Sequence, residues 1–164
     1  MPIIGIEPAL KPAQQLRRGG KALVMATPVT LGQEKFRRLY AMYGEDTLTL
    51  PCPGLMDMVE RGILSGPELD GLLSRLLESV PLEEISVVVL GCTHYSFLSG
   101  AIAARFPAGT VVIDGNNGTA RQLKRRLEEN NLLAESGRRG HITLYSTSGE
   151  DGVLHRMEQL LHIS

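Results

Sequence analysis

The stretch Ile85-Ser86-Val87-Val88-Val89-Leu90, running directly into Gly91-Cys92-Thr93-His94-Tyr95, decides the fold class. Its first six residues are nearly all apolar and rich in β-branching, as expected of a strand covered on both faces. Working outward, Ile3–Ile6, Ala22–Ala26, Thr47–Leu50, Thr110–Ile113 and His141–Tyr145 also read as strands. Segments with helical spacing lie near 32–43, 54–62, 67–79, 96–105, 119–129 and 150–161. Strand and helix alternating in this way predict an α/β fold, an open and mainly parallel sheet flanked by helices, with a C-terminal helix–strand–helix extension. Two helices carry start signals. Thr119-x-x-Gln122 fits a capping box, and Ser148 can cap a first turn holding Glu150 and Asp151.

The spacing places a boundary near residue 115. The helix at 119–129 has a thin apolar stripe (Ala120, Leu123, Leu127) with Lys124–Glu128 and Arg125–Glu129 at i,i+4 spacing. The final helix instead carries Val153, Leu154, Met157, Leu160 and Leu161 on one face, which must be buried. Asn130-Asn131 and Ser136-Gly137-Arg138-Arg139-Gly140 separate the two. Residues 1–115 are therefore expected to form a compact sheet domain and residues 116–164 an appended piece.

Composition narrows the function. The 164 residues are 43% hydrophobic and 21% charged, which excludes collagen-like, coiled-coil and wholly disordered chains. Residues 1–115 hold 10 basic and 12 acidic groups and residues 116–164 hold 7 and 6, for a net charge of −1. Neither part has the one-signed field of a nucleic-acid or membrane-surface binder. No apolar run reaches the roughly 18–20 residues that span a bilayer, and Met1–Glu7 lacks the pattern of a secretory signal. Two cysteines are too few for a disulfide scaffold, which predicts a cytoplasmic protein.

In open α/β sheets ligands bind where strands end and helices begin, and Gly91-Cys92-Thr93-His94 lies at such a place. Gly91 permits an unusual turn, and Thr93 with the following N–H groups can hold an anion. Cys92 at a helix start, two residues from His94, can be shifted toward thiolate. Spacing alone equally allows a buried Cys92 acting as a small hydrophobe beside a surface His94. Metal binding is weaker, because Cys92 and His94 supply only two ligands. Glu60, with Asp57–Arg61 already at pairing distance along the helix, reads as a solvated side chain, and Thr27 and Thr30 read as a cap or turn around Pro28. Cys52, between Pro51 and Pro53, reads as structural. Asp114 caps or orients the next turn, and His141, His155 and His162 read as surface or strand-edge residues.

Gly91-Cys92-Thr93-His94-Tyr95 after a Val/Leu-rich strand resembles the signature of the glutamate racemases, in the aspartate/glutamate racemase family. Gly5-Ile6-Glu7-Pro8-Ala9-Leu10-Lys11-Pro12-Ala13, Ala26-Thr27-Pro28-Val29-Thr30, Cys52-Pro53-Gly54-Leu55 with Met58-Val59-Glu60, Ile113-Asp114 and Tyr145-Ser146-Thr147-Ser148-Gly149 resemble further landmarks in the same order. The resemblance implies cofactor-independent, two-base interconversion of L- and D-glutamate, supplying D-glutamate for peptidoglycan and so for cell-wall biogenesis and cell shape. It implies no pyridoxal phosphate and no metal. Cys92 is then one acid/base, His94 assists or polarises its thiol, Glu60 is the supporting carboxylate, and Thr27, Thr30 and Thr93 bind substrate.

The chain departs from the family in what it lacks. The Asp-Ser-Gly turn, the Pro-Tyr-Gly turn and the first cysteine of the family's first lobe do not occur in it. Residues 1–115 thus resemble the second lobe, and residues 116–164 the segment that returns to the first. The apolar face of the last helix must then be covered by repacking on residues 1–115, by a second copy of the chain, or by a first-lobe polypeptide. The isolated chain is expected to be inactive or very weak, with a non-catalytic binding module that keeps the fold as the alternative. Ser96 stands where the family usually has proline, a change expected to be neutral because serine also suits a helix start.

Overall fold

The computed structural model describes residues 3–134, 137, 140–150 and 152–163. Four strands form one parallel sheet in the order β2-β1-β3-β4: β1 is Lys21–Ala26, β2 Thr47–Pro51, β3 Ile85–Leu90 and β4 Val111–Ile113. The two central strands are the two apolar runs, and five of the six residues in each are buried.

Side-chain alternation sends the central strands into two separate cores. Leu23, Met25, Val88 and Leu90 face a cluster with Leu55, Val59, Leu69, Leu73, Tyr95 and Ile102. Ala22, Val24, Ala26, Val87 and Val89 face the other side, against Leu10, Ala13 and Phe36. The first layer comprises α4 (Leu55–Glu60), α5 (Pro67–Leu77), a six-residue 3-10 helix (Thr93–Leu98) and α6 (Ser99–Ala103). The second comprises α1 (Leu10–Leu16) and α3 (Glu34–Tyr43), with the short α2 (Pro28–Gly32) leading into α3. A sheet buried on both faces is why β3, apart from Ser86, reads as an apolar run rather than alternation.

Beyond β4 lie α7 (Asn116–Glu129) and α8 (Val153–Leu161). Every described residue of α7 is at least partly exposed, and its Lys124–Glu128 and Arg125–Glu129 pairs stand at 3.8 and 3.7 Å. Leu160 of α8 packs against the first core, while Leu154 and Leu161 stay open. No helix among the described residues is long and apolar enough to cross a membrane.

Several sequence expectations are corrected. Ile3–Ile6 is not a strand: Ile3 is 92% exposed, and the segment finds no sheet edge before Pro8, which has no N–H to offer a ladder. His141–Tyr145 is not a strand either, so the described part of the C-terminal extension is helix–coil–helix; Ile142 and Tyr145 face solvent, and no strand among the described residues pairs with them. Thr119 is no cap, because α7 starts three residues earlier and the Thr119 hydroxyl donates to the Gly115 carbonyl instead. Ser148 accepts from the Glu150 N–H ahead of α8, whose own N-cap is Gly152. Asp151, Ser136, Arg138 and Arg139 lie outside the described residues. Arg61 pairs with Glu68 across the α4–α5 turn at 2.6 Å rather than with Asp57. The helix expected over 96–105 begins as the 3-10 turn at Thr93 and becomes α-helical only at Ser99.

Candidate active site

The chain leaves β1 toward β2 on one side and returns through β3 and β4 on the other, so the strand order reverses between β1 and β3. Crevices outside the carboxyl ends of strands at such a reversal are where open α/β sheets bind ligands. Thr27–Thr30 follows β1 and Gly91–Thr93 follows β3, and the two turns face one crevice.

Gly91 serves close packing rather than an unusual turn. Its φ is not in the left-handed region, its N–H donates to the Met25 carbonyl at 2.8 Å, and a Cβ there would stand 3.0 Å from the Ala26 methyl. The missing side chain lets the ends of β1 and β3 touch. Thr27 caps α2 by accepting from the Thr30 N–H at 3.1 Å, and the two hydroxyls lie 2.9 Å apart.

Cys92, His94 and Glu60 form a continuous line. Cys92 Sγ is 3.7 Å from His94 Nδ1, and His94 Nε2 is 2.6 Å from Glu60 Oε1. A carboxylate can only accept, so a neutral His94 carries its proton on Nε2 and offers the Nδ1 lone pair to the thiol. Glu60, read from spacing alone as a solvated side chain, is exposed, yet it reaches His94 across 34 residues of sequence because α4 ends beside the turn after β3.

The thiol is not biased toward thiolate. Half-burial pushes its pKa above the ordinary range, outweighing the N–H groups of His94 and Tyr95 that point at the sulfur and act to lower it. A six-residue 3-10 turn supplies too little aligned backbone to reverse that balance. Cys52 is a different kind of thiol: it is 1% exposed, donates to the Leu50 carbonyl at 3.3 Å, and is pushed up to about 12 by burial.

A cavity of about 260 Å³ opens beside Cys92. Of the residues singled out from sequence, Cys92, Thr93, Thr30, Gly91 and Asp114 line it; His94 and Glu60 sit behind the thiol, and Thr27 reaches the cavity through Thr30. Glu7, Lys35, Ser96 and Asn116 also line it and were not expected to. Glu7 and Lys35 pair at 2.8 Å, and the former strand candidate Ile3–Ile6 brings Ile6 and Glu7 to the cavity wall. Ser96 does not cap a helix. It donates to Asp114 Oδ2 at 2.7 Å and accepts from Asn116 Nδ2 at 3.1 Å, while Asp114 Oδ1 accepts from the Asn116 N–H. Asp114 thus orients its turn as expected, and its position after β4 was the available signal for this cluster. Among the described residues no group of three or more His, Cys, Asp or Glu could hold a metal ion.

Comparison with known proteins gives one consistent answer. No protein-family model matches the chain. A glutamate racemase of Clostridium perfringens is 44% identical over 99% of the chain, which spans 64% of that relative's length. A structure of Escherichia coli glutamate racemase in complex with L-glutamate and the activator UDP-MurNAc-Ala superimposes on 100% of the chain and 62% of its own, with a TM-score of 0.81 at 23% identity. That of Thermus thermophilus glutamate racemase in complex with β-chloro-D-alanine covers 84% of the chain and 50% of its own, with a TM-score of 0.69 at 33% identity. The sequence is related to glutamate racemases along essentially its whole length, consistent with their C-terminal part, and shares their fold.

Proposed function

We propose that the chain supplies one wall of a glutamate racemase active site, with Cys92 as one of two acid/base thiols that interconvert L- and D-glutamate without a cofactor. The observation that carries this reading is the Cys92–His94–Glu60 line at the reversal of strand order, beside a cavity sized for a small molecule. Relationship to glutamate racemases at 44% identity supports it.

Racemisation removes the Cα proton on one face and returns a proton to the other. Negative charge spreads from Cα into the carboxylate during the first step, so hydrogen-bond donors at that carboxylate lower the barrier. Thr93 and Thr30 line the cavity and are the donors in this reading, with Thr27 holding Thr30 in place. Cys92 enters the cycle as S–H, because burial favours the neutral form. In one direction it gives that proton to the Cα carbanion and becomes thiolate. In the other, His94 Nδ1 first takes the S–H proton, the thiolate then accepts the proton from Cα, and the imidazolium releases its extra proton to solvent. Glu60 stabilises the imidazolium formed in between.

Residues 1–115 correspond in this reading to the second lobe and residues 116–164 to the segment that meets the first. The product would serve peptidoglycan synthesis in the cytoplasm. The 164 residues contain only one other thiol, the sealed Cys52, so this polypeptide alone is expected to racemise weakly or not at all.

Deuterium incorporation at Cα of L-glutamate, followed with optical rotation, tests the proposal. The 164-residue chain is assayed alone and with the remaining length of a relative supplied as a second polypeptide. Exchange that appears with the second polypeptide and disappears in Cys92→Ser supports the reading. Exchange indifferent to Cys92→Ser, or brisk racemisation by the 164 residues alone, would overturn it; the first result would favour a non-catalytic module.

A further inference from the structure

Helix α4 ends in a Schellman turn. The N–H of Ile63 donates to the Met58 carbonyl at 2.8 Å and that of Gly62 to Val59 at 2.8 Å, with Gly62 at φ +73°. This pattern satisfies the carbonyls of Met58 and Val59 and passes over that of Glu60, the last helical residue. Arg156 of α8 takes it: Nη1 donates to the Glu60 carbonyl at 2.6 Å, across 96 residues of sequence.

The guanidinium is held there closely. A Cβ on Gly62 would stand 2.7 Å from Nη1 and 3.1 Å from Cζ, so the group occupies space that only a glycine leaves open. Its Nε is buried and has no hydrogen-bond partner among the described residues. Burying an unpaired donor is costly, so the packing around it must hold the side chain in this place. Leu160, one turn further along α8, docks on the core that contains Tyr95 and so anchors the helix that carries Arg156.

We propose that Arg156 is a positioning residue for the thiol: it fixes the main chain of Glu60, and thereby the carboxylate that orients His94 toward Cys92. The C-terminal helix is in this way coupled to the sulfur through Glu60 and His94. The inference rests on the relay described under the proposed function, but it concerns a residue outside that relay and can fail separately. Other groups facing the thiol are fixed by other elements. Glu7, Lys35 and Asp114 line its cavity, and Tyr95 and Cys52 lie beneath it.

The test uses the full 164-residue chain and reads alkylation of Cys92 by iodoacetamide, resolved from Cys52 by peptide mass spectrometry, as a function of pH. Arg156→Met is expected to slow Cys92 alkylation near pH 8 by about threefold, equivalent to about half a unit of thiol pKa. Arg156→Lys keeps the cation without the flat fork and should fall between. In a Glu60→Gln background Arg156→Met should add nothing. A wild-type profile in Arg156→Met, or the same slowing in the Glu60→Gln background, overturns the inference. Should Glu60→Gln alone leave Cys92 unchanged, the relay reading itself fails. Thermal melts establish that each variant folds, and if Arg156→Met does not, Arg156→Lys carries the comparison.

Discussion

The hydroxyl of Tyr95 donates to the carbonyl of Cys52 at 3.1 Å, and the Tyr95 N–H donates to the carbonyl of Cys92 at 3.1 Å. One fully buried ring thus ties the turn after β3 to the turn after β2. Desolvation pushes the phenol far above its usual pKa, so it remains a donor across the working pH range.

Tyr95→Phe keeps the ring and deletes that tie. We expect a stability loss of about 1–2 kcal/mol, since a buried carbonyl loses its strongest partner. Urea melts of the two proteins measure it. Indistinguishable melts would mean that the Cys52 carbonyl is satisfied without the phenol.

Glu60→Gln should leave the fold intact, because the side chain is exposed, while disturbing the chemistry. An amide can present either its oxygen or its NH2 to Nε2, so the tautomer of His94 is no longer dictated. In the complemented Cα-exchange assay we expect a rate loss of about 10- to 100-fold, below the 10²–10⁴ range associated with general acid–base catalysis. His94→Ala should cost at least as much. Equal rates for Glu60→Gln and wild type would remove Glu60 from the mechanism.

Alkaline pH should destabilise the protein through Cys52. Its folded pKa is raised to about 12, above the ordinary thiol value of about 8.5, so the folded state holds the proton more tightly than the unfolded state. The stabilisation is complete below about pH 8.5 and is lost as pH rises toward about 12, with a slope of at most about 1.4 kcal/mol per pH unit. Cys92, also raised by burial, adds a loss of the same sign. Unfolding free energies at neutral and alkaline pH, for wild type and Cys52→Ala, provide the check: the variant should show the smaller drop.

Ser96→Ala removes the hydroxyl between Asp114 and Asn116. Asp114 retains its contacts with Asn116, so the expected loss is modest, about 1 kcal/mol by thermal denaturation. A larger effect is expected on KM than on kcat in the complemented assay, because the cluster lines the cavity without touching the sulfur. The reverse split would place Ser96 with the proton-transfer groups instead.

What could be read from the chain alone follows a physical divide. β1 and β3 are visible because burial on both faces confines polar residues to Lys21 and Ser86 near their starts. Cys92 and His94 were visible because chemistry at a strand end is local in sequence. Glu60 was legible only through a family resemblance, since its partner lies 34 residues away and its own neighbourhood offered a competing helix pair. Arg156 was not legible at all: its target is a main-chain carbonyl, which carries no residue-specific signal. The misread Ile3–Ile6 shows the converse, because β-branched residues make a strand only where another strand is free to pair. Spacing leaves the direction of the thiol's shift open, because the turn is short and desolvation depends on distant packing.

The close approach of Gly91 to Ala26 leaves the two central strands little slack at their carboxyl ends. A Cβ added at residue 91 would press on the Ala26 methyl and the Met25 carbonyl at 3.0 Å each, so either those ends part or the neighbours give way. The spacing of the two strand ends beside the crevice is therefore kept by a residue with no side chain, set against a methyl group and a main-chain oxygen.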